Sequence, residues 1–208
     1  MAENVFAVTQ AGIESQVQID EIDRESLQVQ RVAQPALGDR PRVRMVSCGA
    51  AIPNVEVQIV DEQLQSLSDR QIGEVAVRSN CMLTEYYHRP DATQQALIAD
   101  GWYLTGDFGY LAQGQLYVTG RKKDLIIVGG KNIYPQDIEA IVNEVAGVHP
   151  GRVVAFGVPD EREGTELVAV VAELTAAGQA NPTAVQRAIR QAVAQQAQVT
   201  ASYVHLVD

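Results

Sequence analysis

Up to about Val32, from Val5, polar and apolar residues alternate in short runs: VFAVTQ, SQVQID and SLQVQRV. A period of two belongs to half-exposed strands, whose successive side chains point to opposite faces. The alternation continues from Arg42 to Val77 through RVRMVSCG, a turn-rich AAIPN, then VEVQIV and EVAVRS on either side of a polar loop. That last pair predicts a hairpin in a small barrel or sandwich. RPDATQQALIA, Arg89 to Ala99, predicts a short helix with Pro90 and Asp91 in its first turn and Gly101 near its stop. GWYLTGDFGYL and QGQLYVTG predict two strands joined by a Gln-Gly turn.

After Gly120 the period changes. PQDIEAIVNEVA sets Ile138, Ile141, Val142 and Val145 on one stripe behind a proline in the first turn, which predicts a short amphipathic helix. RVVAFGVPD and ELVAVVAEL are apolar runs of strand length, and TAAGQANP reads as a loop. Thr183 to Gln198 predicts a second helix carrying Val185, Ile189 and Val193 four apart, and SYVHLV a final strand. Strands before Gly120 and mixed helices and strands after it put a domain boundary at GRKKDLIIVGGKNIYPQDIEA, Gly120 to Ala140.

Composition narrows the class. With 46% apolar residues in 208, the chain can bury a core as one large domain or two small ones. Its 26 acids against 16 bases give a net charge of -10, which argues against nucleic-acid or membrane-surface binding because either needs a basic footprint. No run approaches the roughly 18 apolar residues of a membrane span, and the N-terminus has no basic region leading into an apolar core. Cys48 and Cys81 stand apart without metal or redox spacing, so buried thiols in a reduced cytoplasm are expected. MAENVFAVTQ enters strand-like alternation with no lead-in, as a cut boundary would.

Four segments could carry chemistry. Asp107, after the Thr-Gly of GWYLTGDFGYL, is either a turn residue capping its own backbone or a carboxylate accepting from sugar hydroxyls. Arg121, Lys122 and Lys123 are either a solvated run, or a set in which Arg121, held near Asp107 by the intervening QLYVTG strand, adds a forked donor to the same ligand. Gly129 and Gly130 are a tight hairpin loop or a close approach of backbone to substrate. Glu3 is a solvated terminal charge or an oxygen ligand for Mg2+ beside a nucleotide phosphate. FGVPDEREGTELVAVV reads as a turn between strands, with Pro159 and Asp160 starting it and Gly164 helping to close it, and any function there would lie in docking. His88, His149 and His205 lie in no triad-like pattern and read as structural or surface residues.

In this order, GWYLTGDFGYL, QLYVTGRKKDLIIVGGKNIYPQDIEA and VVAFGVPDEREGTELVAVV resemble the adenylate-forming (AMP-binding) superfamily: acyl-CoA synthetases, fatty-acyl-AMP ligases, luciferases and peptide-synthetase adenylation domains. MAEN is similar to the end of the family's Tyr-Gly-x-Thr-Glu motif, with Ala2 in place of threonine. SCGAAIPNVEVQIVD, GEVAVRS and TEYYHRPDAT resemble the segment that follows it. The resemblance covers nearly the whole chain, and MAENVFAVTQ with GGKNIYPQDIE is most similar to the fatty-acyl-AMP ligase and bacterial long-chain acyl synthetase branch.

The resemblance implies an α+β chain. Residues 1–119 would be a strand-rich, distorted β-barrel remnant of a large AMP-binding domain, 120–124 a hinge, and 125–208 a small, mobile α/β C-terminal domain. It implies Glu3 as a ligand for Mg2+ and ATP, Asp107 and Arg121 as ribose contacts, Val118 as a lining of the adenosine site and Asp124 as the pivot. Gly129 and Gly130 would face the active site beside the pantetheine channel. The implied activity is ATP-dependent activation of a carboxylic acid, by that branch a fatty acid, as acyl-AMP, then transfer to CoA or to the phosphopantetheine thiol of an acyl carrier protein. The family's phosphate loop and its terminal catalytic lysine have no counterpart in these residues, so no catalytic residue is assigned and the 208 residues alone are expected to complete neither step. The rival reading is a non-catalytic module that docks with a carrier protein or a separate large domain. An unrelated α+β binding domain is the third.

Overall fold

The computed structural model describes residues 2–4, 6–12, 14–162 and 164–208, of Ala2 the backbone only. The chain divides into two compact units, Met1–Lys123 and Asp124–Asp208.

The first unit holds strands β1 (Thr9–Gln10), β2 (Ile19–Asp23), β3 (Arg42–Val46), β4 (Ala50–Ala51), β5 (Val55–Val60), β6 (Gly73–Ser79), β7 (Tyr103–Ala112) and β8 (Gln115–Arg121), with helix α1 (Pro90–Ala96). β1 pairs with β4, β2 with β3, and β5-β6-β7-β8 form an antiparallel four-stranded sheet. The unit is strand-rich, and among the described residues its sheets do not close into a barrel. Val55 and Ile59 of β5, Val75 and Val77 of β6 and Leu116 of β8 are buried together. The hairpin β7–β8 turns on Gln113 and Gly114, with φ of 53° and 73° between the paired Ala112 and Gln115. Both turn residues are left-handed, the conformation whose twist matches paired strands.

Three expectations for this unit are corrected. SLQVQ is a π-helical turn over Ser26–Gln30 rather than a strand. Asp23 Oδ1 accepts from the Ser26 N–H at 2.8 Å, and the Arg31 N–H, in left-handed backbone, reaches back to the Ser26 carbonyl. Local bonds from Asp and Ser compete with the strand ladder, and Leu27 buries itself from the turn. Cys48 and Cys81 are exposed, not buried; each lies in a connection beyond the end of a strand. The helix of the Arg89–Ala99 region ends at Ala96, and a 3-10 turn follows at Ala99–Gly101.

The second unit holds β9 (Ile126–Val128), β10 (Lys131–Ile133), α2 (Pro135–Asn143), β11 (Val148–Asp160), β12 (Thr165–Leu174), α3 (Ala176–Gln179), α4 (Pro182–Ala197) and β13 (Ala201–Val207). β9 and β10 form a hairpin. β11 and β12 pair antiparallel, while β12 and β13 run parallel, a connection that α3 and α4 make. Ile138 and Val142 of α2 and Val185, Ile189 and Val193 of α4 pack with Val168, Val170 and Ala172 of β12. Burying each such valine or isoleucine side chain contributes ~1.5–3 kcal/mol. The Asn181 side chain caps α4 by accepting from the Ala184 N–H at 3.1 Å.

TAAGQANP, expected as a loop, contains the single turn α3, which Thr175 Oγ1 caps by accepting from Gly178 N–H at 3.2 Å. A Cβ at Gly178 would lie 2.1 Å from the Gly147 carbonyl oxygen, so the close approach of these two segments requires glycine. Pro159 and Asp160 still pair with Glu166 and Thr165, so the turn begins after them rather than at them.

Candidate functional site

The Thr105-Gly106-Asp107 segment is a bulge. β7 pairs with β6 through Gly73↔Gly109 and Glu74↔Phe108, then shifts register to Ala76↔Leu104. Three residues of β7 therefore stand opposite Val75 alone. Gly106, at φ +73°, supplies the left-handed step this needs. Thr105 Oγ1 donates to the Val75 carbonyl at 2.9 Å and accepts from the Asp107 N–H at 3.1 Å. The threonine thus replaces ladder bonds that the bulge removes.

Across the sheet, Asp107 pairs in register with Arg121 on β8, and Arg121 Nε lies 2.8 Å from Asp107 Oδ1. The carboxylate is 27% exposed and the guanidinium 57%, so both retain capacity for a ligand. Burial pushes the Asp107 carboxyl above its usual range; Arg121 opposes this, and the charges of Glu3 and Glu74 reinforce it. Val118 lies earlier on β8, opposite Gly109 and partly exposed.

Glu3 accepts from the Tyr86 hydroxyl at 3.3 Å, and the Tyr86 and Tyr103 hydroxyls are 2.8 Å apart. Burial, with these bonds, drives the Tyr103 phenol up and keeps it protonated. Among the described residues, no group of three His, Cys, Asp or Glu side chains could hold a metal ion.

Two further members of this site are Glu74, which the sequence reading does not single out, and Lys122, which it names only within a charged run. Glu74 Oε2 binds Lys122 Nζ at 2.7 Å while Oε1 accepts from the Gly106 N–H at 3.1 Å. The available signal was a glutamate at the start of GEVAVRS, which reads there as an ordinary alternating strand position. Tyr86 and Tyr103 carry no comparable signal, since their contact is a product of folding.

The second unit holds the other expected positions. Asp124 is its first residue and is exposed. Gly129 and Gly130, at φ +54° and +81°, form the two-residue loop between the paired Val128 and Lys131. The hairpin is tied to β12: the Gly129 N–H donates to Thr165 Oγ1 at 2.8 Å, and that hydroxyl donates to the Ile127 carbonyl at 3.0 Å. A surface cavity of about 560 Å³ lies beside Gly129, Lys131, Val168 and Ser202. Glu3, Asp107, Val118 and Arg121 thus share the first unit, and the pivot and glycine positions belong to the second.

No protein-family model matches the chain. It is 35% identical over 174 residues to a putative acyl-CoA synthetase of Caulobacter vibrioides, spanning 83% of this chain and 30% of that protein. It is 44% identical over 100 residues to the long-chain-fatty-acid–CoA ligase FadD13 of Mycobacterium tuberculosis, 48% of this chain and 19% of the ligase. Among solved structures, one from a study of fatty acyl-adenylate ligases of E. coli and L. pneumophila matches all of the chain and 36% of its own, with a TM-score of 0.87 and 32% identity. McyG A-PCP, solved with phenylalanyl-adenylate, matches 79% of the chain and 29% of its own at a TM-score of 0.72 and 32% identity. The chain spans about a third of the length of such relatives.

Proposed function

The chain belongs to the adenylate-forming superfamily of acyl-CoA synthetases, ligases and adenylation domains, and from that premise we propose that it supplies the ribose-binding edge and the small mobile domain of an ATP-dependent acyl-adenylate-forming ligase. The observation that carries this reading is the Asp107–Arg121 pair at 2.8 Å, presented from a bulge and left partly open to solvent. A carboxylate held this way accepts hydrogen bonds from both hydroxyls of a ribose, and the guanidinium fixes its orientation. Val118 packs against the adenosine. The domain division proposed is 1–119 as part of the large domain, 120–124 as hinge with Asp124 its pivot, and 125–208 as the small domain.

In the first step a substrate carboxylate oxygen bonds to the α-phosphorus of ATP as the bond to the bridging oxygen breaks, giving acyl-AMP and pyrophosphate. In the second, a thiolate of CoA or of carrier-protein phosphopantetheine bonds to the acyl carbon and AMP leaves. Likeness to a long-chain-fatty-acid–CoA ligase and to fatty acyl-adenylate ligase structures favours a fatty acid. Glu3 fits a Mg2+ role: a hard carboxylate with one oxygen on a tyrosine hydroxyl suits an ion that takes only one or two carboxylates beside the phosphates. That ion would offset phosphate charge as pyrophosphate departs. Gly129 and Gly130, whose added Cβ atoms would meet nothing within 4 Å, leave bare backbone for the acceptor arm. The reaction is placed in the cytoplasm.

The test is a nuclear magnetic resonance titration of the 208-residue chain with MgATP. Shifts should concentrate at Gly106, Asp107, Val118 and Arg121 and vanish in Asp107→Ala. Shifts that spare this segment would refute the nucleotide reading. These residues contain no phosphate loop, so the chain alone should release no pyrophosphate with any fatty acid, and acyl-AMP made by it alone would refute that part.

A further inference from the structure

Glu74 is a carboxylate that the proposed reaction does not use, yet its side chain is only 9% exposed. Burying a charge is costly unless it is paired and hydrogen-bonded. Both of its oxygens are engaged: Oε1 accepts from the Gly106 N–H at 3.1 Å and Oε2 binds Lys122 Nζ at 2.7 Å. The bulge takes the Gly106 N–H out of the strand ladder, so this donor needs another acceptor. Glu74, from the neighbouring strand, is that acceptor. The other side of Gly106 is held too, since its carbonyl accepts from the Lys122 N–H at 2.9 Å. Of the two peptide planes that flank Gly106, the first is therefore held by the Glu74 carboxylate and the second, which leads directly into Asp107, by the main chain of Lys122.

We infer that Glu74 is the positioning residue of this site: with Lys122 as counter-ion, it locks the Gly106 peptide and so aims the Asp107 carboxylate at the ribose. The inference rests on the nucleotide reading of Asp107. Its consequence is that Glu74 and Lys122 are coupled to nucleotide affinity without touching the nucleotide.

The experiment uses the 208-residue chain and two readouts, hydrogen exchange at the Gly106 amide and affinity for MgATP. Glu74→Met removes the acceptor while keeping side-chain volume; Gly106 protection and ATP affinity should each fall roughly tenfold, as when a charge-assisted hydrogen bond is lost. The double exchange Glu74→Lys with Lys122→Glu restores the ion pair and the thermal midpoint, but a lysine cannot accept from Gly106. It should leave protection and affinity as low as in Glu74→Met, and it serves as the reading variant if Glu74→Met does not fold. Lys122→Arg should keep both near the unmodified values. Undiminished Gly106 protection in Glu74→Met, or recovery of affinity in the exchanged pair, overturns the inference. ATP affinity indifferent to Asp107→Asn, with Gly106 deprotected in Glu74→Met, instead overturns the nucleotide reading while supporting the hold of Glu74 on the bulge.

Discussion

Replacing Asp107 with asparagine should make the protein slightly more stable and much poorer at holding ATP. Burial raises the Asp107 carboxyl, Arg121 opposes the rise, and Glu3 and Glu74 add to it. A carboxyl raised in the folded state contributes stability that is complete below its unfolded value, near 4, and lost as pH rises through the folded value. Ionised Asp107 therefore works against folding at neutral pH. The compensating ion pair has a guanidinium that is 57% exposed, and such pairs are worth only ~0–1 kcal/mol. Asparagine should thus raise stability at pH 7 by no more than about 1 kcal/mol, or about 2–4 °C in thermal midpoint, and should flatten the loss of stability expected as pH rises through the folded value. Losing hydrogen bonds from ribose hydroxyls to a charged acceptor costs ~1.5–3 kcal/mol, a roughly 10- to 150-fold weaker Kd. Thermal melts across pH and calorimetric titration with MgATP measure the two effects. A stability loss well beyond 1 kcal/mol with unchanged affinity would show that Asp107 merely caps its own turn.

Ile189→Ala removes a fully buried side chain of α4 and should cost ~2–5 kcal/mol, lowering the denaturation midpoint of the second unit; tryptophan fluorescence from Trp102 in the first unit should report an unshifted transition if the units unfold separately. Gly130→Val places a β-branched residue at φ +81° and should cost about 1–2 kcal/mol, measured by urea denaturation; an unchanged midpoint would contradict the two-residue turn. Burial raises Tyr103, Tyr110 and Tyr117, foremost of the causes in each. A phenol raised by folding supports stability below its unfolded value near 10 and loses that support above it. Absorbance titration should therefore find Tyr103, Tyr110 and Tyr117 un-ionised just above pH 10, and ionisation of all seven tyrosines there without unfolding would refute this.

Local signals served best where local chemistry decides the structure. The turns at Gln113-Gly114 and Gly129-Gly130 follow from residues that tolerate positive φ, and the stripes of α2 and α4 from the burial of every third or fourth side chain. The hairpin β7–β8 is also what brings Arg121 to Asp107, because the strand between them has a fixed rise and register. Where long-range contacts decide, the reading stops. SLQVQ has the same alternation as a strand, and bonds to Ser26 from Asp23, Arg31 and Val32 bend it into a π turn. The exposure of Cys48 and Cys81 depends on where connections fall, which cysteine's usual burial cannot report. Glu74 looked like one more strand residue, since its partners Gly106 and Lys122 are 32 and 48 positions away.

The central claim is that the Asp107–Arg121 edge grips a ribose. Its most direct test compares the affinity of ATP and 2′,3′-dideoxy-ATP for the unmodified chain and for Asp107→Asn. The account predicts that removing the ribose hydroxyls weakens binding roughly 10- to 150-fold in the unmodified chain, and hardly at all once Asp107 is asparagine. The same loss in both proteins would mean that the hydroxyls bind elsewhere, and the account would be wrong.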